Sequence, residues 1–404
     1  MSLVCLFHPF RQMLKMDNLK CFMIAGELSG DKLGASLIEG LRHETDQKIV
    51  FSGIGGPLME AAGLKSLFNM SDLSLIGLAE IIPNIPLLLS RIKTTANSII
   101  KQRPDVLITI DSPDFCMRVA KKVRKALPNI KIIHYVAPSV WAWRPERAAK
   151  MSKYVDHVLA LLPFEPPYME AEGMTSDFVG HPVVFSPNVT AEAQKKFKQE
   201  HNLHDGPIIT ILPGSRISEI NRMCPIFDKV SSNIQKLYPN AQFILPVALT
   251  VEENVLKAVS SWDVMPLLLL NNGKDSKQVE YDKFITYSIS SVALATSGTV
   301  ALELAAKKCP MVIAYKANWL TTKMVKRLAK IDTANLINII TNSKVIPEHL
   351  FEDCTAEKIT NSLKSLLNKD NNQISAMSET MSKLGIDQED NHLLAAKSVL
   401  KVLK

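Results

Sequence analysis

Leu212-Pro213-Gly214-Ser215-Arg216 and Ala295-Thr296-Ser297-Gly298-Thr299 decide how this chain is read. Each follows a run of strand-like apolar residues and precedes a segment of helical period. A strand that turns through small residues into a helix points unpaired backbone N–H groups and a positive dipole end at whatever lies above it. Phosphate is the common occupant of such a place. The two turns lie about eighty residues apart and one carries an arginine. Taken as helix beginnings on two facing lobes, they predict one diphosphate held between them, which points to a nucleotide-sugar enzyme.

Around these turns the chain alternates short β-rich runs with amphipathic segments. In the first half the pattern predicts strands at Lys20–Ala25, Val106–Ile110, Lys131–Val136 and His157–Leu162, with helices at Lys32–Leu41, Phe115–Leu127 and Pro145–Lys153. After Gly180-His181-Pro182 a polar stretch leads to a second series, with strands at Ile208–Leu212, Gln242–Pro246, Met265–Leu270, Val292–Ala295 and Met311–Ala314. Continuous apolar strands alternating with helices imply parallel sheets covered on both faces. The expected fold is therefore α/β, two Rossmann-like doubly wound halves facing across a cleft, with ligands at the carboxyl ends of the strands. The expected division is an N-terminal extension at 1–15, a first domain at 16–185, a second at 186–355 and helices at 356–404 able to cross back onto the first half. The linker is placed near 183–205.

At 404 residues, 47% hydrophobic and 22% charged, the chain can bury two ordinary cores and has no disordered bias. A net charge of +7 favours anionic small molecules or an acidic membrane surface. It falls short of the charge density of a nucleic-acid binder, and aromatics are not interleaved with basic residues as a single-strand platform requires. Six scattered cysteines without a C-x-x-C pair read as buried thiols in a reducing compartment, not as a zinc site or disulfide framework. Residues 1–15 lack the unbroken apolar core of a signal peptide, and a start at Met16 would lose nothing recognisable. Leu73–Leu89 is the most apolar run, but Glu80, Pro83, Asn84 and Pro86 interrupt it, so it does not read as a membrane span.

Several motifs then stand beside their blander explanations. Ala25-Gly26-Glu27-Leu28-Ser29-Gly30-Asp31 is a βα turn whose Ser29 or Asp31 can cap the helix expected from Lys32; without G-x-G-x-x-G it is no dinucleotide fingerprint. Gly53-Ile54-Gly55-Gly56-Pro57 reads as a flexible loop within reach of an acceptor. Asp111-Ser112-Pro113-Asp114 puts two carboxylates at the end of a central strand; Asp114 is explained by helix capping, whereas Asp111 suits a general base. Ala137-Pro138-Ser139-Val140-Trp141-Ala142-Trp143-Arg144 sets two tryptophans and an arginine in a loop, either a sugar or lipid platform with an anion contact or a structural plug. Arg216 beside backbone donors suits a diphosphate, with an Arg216–Glu219 surface pair as the alternative. In Ser297-Gly298-Thr299 the glycine admits phosphate oxygens, and Glu303 one turn on can accept from ribose hydroxyls. His181 reads as a structural imidazole. Lys323, Lys326, Arg327 and Lys330 form a basic helix face, solvated or turned to an anionic bilayer.

The succession AGELSGD, GIGG, IDSPDF, HYVAPSVWAWR, LPFE, VGHP, LPGSR, SGTVALE and CPMVIAYK resembles the bacterial lipid-A-disaccharide synthase family, glycosyltransferases of family 19, over most of the chain. That resemblance implies a GT-B fold. It implies inverting transfer from UDP-2,3-diacylglucosamine to 2,3-diacylglucosamine 1-phosphate (lipid X), giving a β(1→6) disaccharide 1-phosphate and UDP, with no cofactor and no metal. It implies Asp111 as base, Arg216 as the essential arginine, and Glu27 as a further catalytic residue. On the donor side the motifs above make Gly214, Ser215, Ser297, Gly298, Thr299 and Glu303 the candidates, and the resemblance adds Asn338, although Ile337 stands where the family has proline. On the acceptor and lipid side the motifs above make Ser29, Gly55, Trp141, Trp143 and Arg144 the candidates, and the resemblance adds Ile76, Ile81 and Leu88. Ile76–Leu89 corresponds to an apolar surface turned to the cytoplasmic face of the inner membrane. A homodimer is left open. The rivals are another GT-B enzyme, such as a UDP-N-acetylglucosamine 2-epimerase or a peptidoglycan glycosyltransferase, and a two-lobed sugar-binding protein.

Overall fold

The computed structural model describes residues 18–46, 48–73, 78–318, 322–323, 327, 332–368, 372–387 and 390–404; for 78–84 it describes the backbone only. These residues form two compact units, one reaching His181 and regaining the chain's last helix, the other running from Pro182 to Asp387.

The first unit holds β1 (Leu19–Ala25), β2 (Ile49–Ile54), β3 (Lys65–Ser66), β4 (Val106–Ile110), β5 (Lys131–Tyr135), β6 (His157–Ala160) and β7 (Thr175–Phe178). Their order is β3-β2-β1-β4-β5-β6-β7, and every pairing is parallel. All five residues of β4 are buried, as are six of the seven in β1, because helices cover both faces. Fully burying each of these Ile, Leu and Met side chains contributes about 1.5–3 kcal/mol, and together they form one core with the helices Leu28–Glu44 and Pro113–Ala126.

The second unit holds β8 (Ile208–Leu212), β9 (Gln242–Pro246), β10 (Leu267–Leu269), β11 (Val292–Thr296), β12 (Met311–Tyr315) and β13 (Glu348–Leu350). Their order is β10-β9-β8-β11-β12-β13, again all parallel. Each sheet reverses its winding once, between β1 and β4 and between β8 and β11. In open α/β sheets such reversals are the places where loops at the carboxyl ends of neighbouring strands diverge and ligands bind.

One expectation is corrected at once. Leu212 pairs with Ala295, so the two phosphate-type turns leave neighbouring strands of a single sheet and not two separate lobes. Other boundaries also move. The first long helix begins at Leu28, not Lys32, because Gly30 sits inside its first turn. A Cβ there would approach Ala25 Cβ to 3.3 Å and the Ile110 carbonyl to 3.5 Å, so glycine lets the helix pack closely on the strands. The expected linker belongs to the second unit: Thr190 caps the helix Ala191–Glu200, and Lys307 Nζ donates to the carbonyls of Ser186 and Pro187.

The tail divides as well. The helices Ala356–Asn368 and Gln373–Lys383 stay with the second unit, where the Gln373 side chain bonds the backbone of Met311 at both ends. The last helix, Asn391–Leu403, packs on Leu28–Glu44 with Gly40 pressed against the His392 carbonyl. No helix among the described residues is long and apolar enough to cross a membrane. Residues 1–15, Ile76, Lys326 and Lys330 lie outside the described residues; Lys323 and Arg327 are exposed.

Candidate active site

Asp111 follows β4 directly at the first switch point. It and Ser112 both adopt the left-handed backbone conformation, φ +50° and +43°, which non-glycine residues rarely take and which accumulates at functional sites. The Asp111 N–H donates to the carbonyl of Tyr135 (3.0 Å), tying the turn to the end of β5. Gly26, at the end of neighbouring β1, packs closely on this turn: a Cβ there would lie 2.4 Å from Ser112 Oγ. Burial raises the Asp111 carboxyl above the ordinary aspartate range, partly countered by the backbone N–H of Ser112. A half-buried carboxylate made more basic, at the carboxyl edge of a parallel sheet, has the attributes of a general base. Ser112 takes the N-cap position of the following helix, and Asp114 lies exposed in its first turn, where it complements the dipole.

Glu27 is the exposed, extended N-cap residue of the helix Leu28–Glu44, and Ser29 is exposed in its first turn. Asp31 does not cap that helix. It is buried and caps another: its oxygens accept the N–H groups of Gly56 (2.8 Å), Met59 (3.0 Å) and Leu58 (3.0 Å). Gly55 is required by packing, since a Cβ would lie 2.7 Å from Met59 Cβ.

The tryptophan loop leaves β5 through Val136, whose φ of +83° is a genuine outlier for a β-branched residue. Trp141 is held as a plug: its indole N–H donates to Glu165 Oε1 (3.2 Å), and its ring meets Phe164 edge-on at 5.2 Å. Glu165, only 4% exposed, also accepts the Leu162 N–H (3.1 Å), and burial pushes its carboxyl up to about 7. Trp143 is half-buried under two guanidinium groups, Arg144 at 4.3 Å and Arg147 at 5.1 Å from its ring centroid. Glu165 and Arg147 escaped the sequence reading, because nothing in LPFE or in a short basic helix announces a tertiary partner.

Ile81 lies in the helix Leu78–Gln102 but its side chain is outside the description; Leu88 is half-buried. Among the described side chains of this segment, Ile85, Leu87 and Leu89 are large, apolar and exposed. Arg91, farther along the helix, pairs with Asp72 (2.7 Å) and covers Phe68.

In the second unit Gly214 has φ +115°, and a Cβ there would lie 2.3 Å from Glu219 Oε2. That buried carboxylate accepts the Ser215 N–H (3.0 Å) and one Arg216 N–H (3.0 Å). The surface-pair alternative is thus realised on Glu219's side, while the Arg216 side chain remains 63% exposed with further N–H groups to offer. One loop donor expected for phosphate is already engaged. Next to this turn, Gly298 and Thr299 are exposed, with open space around the glycine, and Ser297 donates to the Ala334 carbonyl (3.4 Å).

Glu303 is bonded by Lys283 (3.0 Å) and the Tyr287 hydroxyl (3.4 Å). Asn338, implied above as a donor-side contact, is bonded to the protein's own groups. It is 1% exposed; its amide donates to the Ile346 carbonyl (2.9 Å) and Glu348 (3.0 Å), and its oxygen accepts the Ile346 N–H (2.9 Å). Glu348, also missed, accepts the Ala334 N–H (2.8 Å) and so fixes the segment beside Ser297.

Two parallel units with an acid at one switch point and a glycine–arginine turn at the other have the architecture of GT-B nucleotide-sugar enzymes. The same fold is found in the solved UDP-GlcNAc 2-epimerase from Neisseria meningitidis bound to UDP-GlcNAc (TM-score 0.60, 14% identity, covering 96% of this chain and 99% of that one). It is found again in the S. aureus MnaA–UDP structure (TM-score 0.60, 14% identity, 95% of each chain). Sequence narrows this further: the chain belongs to the lipid-A-disaccharide synthetase family, whose model matches residues 21–400. It is 45% identical over 382 residues to the lipid-A-disaccharide synthase of Ruegeria pomeroyi (95% of each chain). It is 42% identical over 392 residues to that of Rhodospirillum centenum (96% of each). The chain is therefore a glycosyltransferase of lipid A biosynthesis.

Proposed function

We propose that the chain transfers the sugar of UDP-2,3-diacylglucosamine to the 6-hydroxyl of 2,3-diacylglucosamine 1-phosphate, with inversion. Asp111 takes the hydroxyl proton, the oxygen bonds to C1 of the donor sugar, and the bond from C1 to the diphosphate breaks, releasing UDP. The exposed N–H groups of Arg216, with backbone donors about Gly214 and Gly298, meet the charge that develops on the leaving diphosphate. Glu27 and Ser29, which follow the strand paired with β4, serve the acceptor side. The exposed Ile85, Leu87 and Leu89 suit peripheral contact with the cytoplasmic face of the inner membrane, where both acylated substrates reside.

The reading rests chiefly on Asp111, a carboxylate of raised basicity held in strained backbone at a sheet's switch point, together with the family to which the chain belongs. UDP release from a mixture of both substrates, absent when either is omitted, tests the reaction. Asp111→Asn should abolish turnover and leave UDP affinity within about twofold of wild type. Because its carboxyl is raised, kcat/KM should fall on acidification at a pH above the ordinary aspartate range. Retained turnover in the variant removes Asp111 from the role of base.

A further inference from the structure

We propose that Arg144 and Arg147, gathered on the ring of Trp143, form a binding site for the phosphomonoester of a sugar 1-phosphate. This deepens the acceptor assignment above and rests on it.

The two guanidinium carbons lie 4.3 and 5.1 Å from the same indole centroid, so two positive charges share one ring. Both residues are half-buried rather than splayed into water. Two other half-buried arginines, Arg91 and Arg124, are neutralised by Asp72 and Asp156, and the exposed Arg216 is paired with Glu219. Among the described residues neither Arg144 nor Arg147 has a carboxylate partner, although Glu146 stands between them in sequence and Glu165 lies beneath the loop. Holding two like charges together without a counter-charge is unfavourable, and an anion with several acceptor oxygens relieves it. Guanidinium forks match phosphate oxygens in pairs, which suits a dianionic monoester better than a single carboxylate.

The platform is also pre-built. Trp141 is pinned by Glu165, the Trp143 N–H donates to the Ser139 carbonyl (3.2 Å), and the Arg147 N–H donates to the Arg144 carbonyl (3.0 Å). The segment leaves β5 immediately after Tyr135, whose carbonyl accepts the Asp111 N–H, so the base and the connection that carries Arg144 and, in the helix that follows, Arg147 leave neighbouring strands at one sheet edge. An acceptor with a hydroxyl at one end and a phosphate at the other would be held at both ends.

The test uses the full-length protein and three probes: glucosamine 1-phosphate, glucosamine, and vesicles of phosphatidylglycerol, followed by tryptophan emission and calorimetry. Wild type should bind glucosamine 1-phosphate at least tenfold more tightly than glucosamine. Arg144→Gln/Arg147→Gln should abolish that preference, and Arg147→Lys, which keeps the charge but loses the fork, should retain part of it. In steady-state assays Arg147→Gln should raise the acceptor KM about tenfold and leave the donor KM unchanged, a split that general loss of structure would not produce.

The proposal is overturned if wild type does not distinguish the two sugars, if the double variant still does, or if only vesicle binding is lost. Should the pair-dependent phosphate preference persist while wild type transfers no sugar, the phosphate site stands and the assigned reaction falls.

Discussion

Replacing Glu165 by glutamine makes the anchoring of the tryptophan loop measurable. The carboxyl is 4% exposed and titrates near 7 in the folded protein, against an ordinary 4.5, because burial disfavours its ionised form; the N–H of Leu162, the Trp141 indole and the N–H of Leu161 offset only part of that. Between 4.5 and 7 the folded chain therefore holds a proton that the unfolded chain has lost. Stability from this group is fully present below 4.5, declines as pH rises through the window, and levels off above 7, a fall of about 3 kcal/mol in all. Most of it, about 2–3 kcal/mol, falls between pH 5 and pH 8.

Glutamine has no such titration. Its single carbonyl can accept from Trp141 or from Leu162 but not from both, which costs about 1–2 kcal/mol at any pH. Glu165→Gln should thus be the less stable protein at pH 5 and equal or superior to wild type at pH 8. Urea unfolding followed by tryptophan emission, at both pH values and one ionic strength, reads the difference directly, since all other titrations are common to the two proteins. Stability differences that agree within about 1 kcal/mol at the two pH values would refute the account of Glu165 as a buried, ionising anchor.

Three further substitutions probe the other loops. Gly214→Ala forces a Cβ to within 2.3 Å of Glu219 Oε2 at φ +115°; it should destabilise the second unit by about 2–4 kcal/mol and weaken UDP at least tenfold by calorimetry, and wild-type affinity would contradict that. Asp31→Ala strips the N–H groups of Gly56, Leu58 and Met59 of their acceptor. It should cost about 2–3 kcal/mol, with faster hydrogen exchange at 56–59; unchanged exchange there refutes the cap. Asn338→Ala should cost about 2–4 kcal/mol in thermal unfolding, because the Ile346 N–H and carbonyl lose their partners. Full stability with lost activity would mean that Asn338 contacts substrate after all.

Which parts of this architecture can be read from the chain follows from how each part is made. Val106–Ile110 is visible as a strand because a parallel strand covered on both faces reads as an apolar run, and the buried Phe243-Ile244-Leu245 within Gln242–Pro246 carries the same signal. Thr175–Phe178 and Glu348–Leu350, each at an edge of its sheet, are short, partly polar and half-buried, and carry no such pattern. The turn residues at Asp111, Gly214–Arg216 and Ser297–Thr299 are legible by type, since glycine and small polar residues at a strand end have few other uses. Their grouping is not, because adjacency of Leu212 and Ala295 depends on strand order and not on separation in the chain. Nor does the chain reveal which way a polar side chain turns. Asn338 and an outward-facing asparagine look alike until Ile346 and Glu348 are brought beneath it.

The same blindness hides a device common to both units. Four loops are braced by a carboxylate that accepts backbone N–H from them: Asp31 from Gly56, Leu58 and Met59, Glu165 from Leu162, Glu219 from Ser215 and Glu348 from Ala334. In sequence an acid beside a phosphate-type turn looks like a repulsive neighbour for an anion. In the fold each one holds its loop from below, so fewer donors remain for a ligand but those that remain are already positioned, and the ordering entropy is met before the ligand arrives. Glu219 makes the trade plainest. It takes one N–H of Ser215 and one of Arg216, and in return keeps the guanidinium at the mouth of the turn where a departing diphosphate would need it.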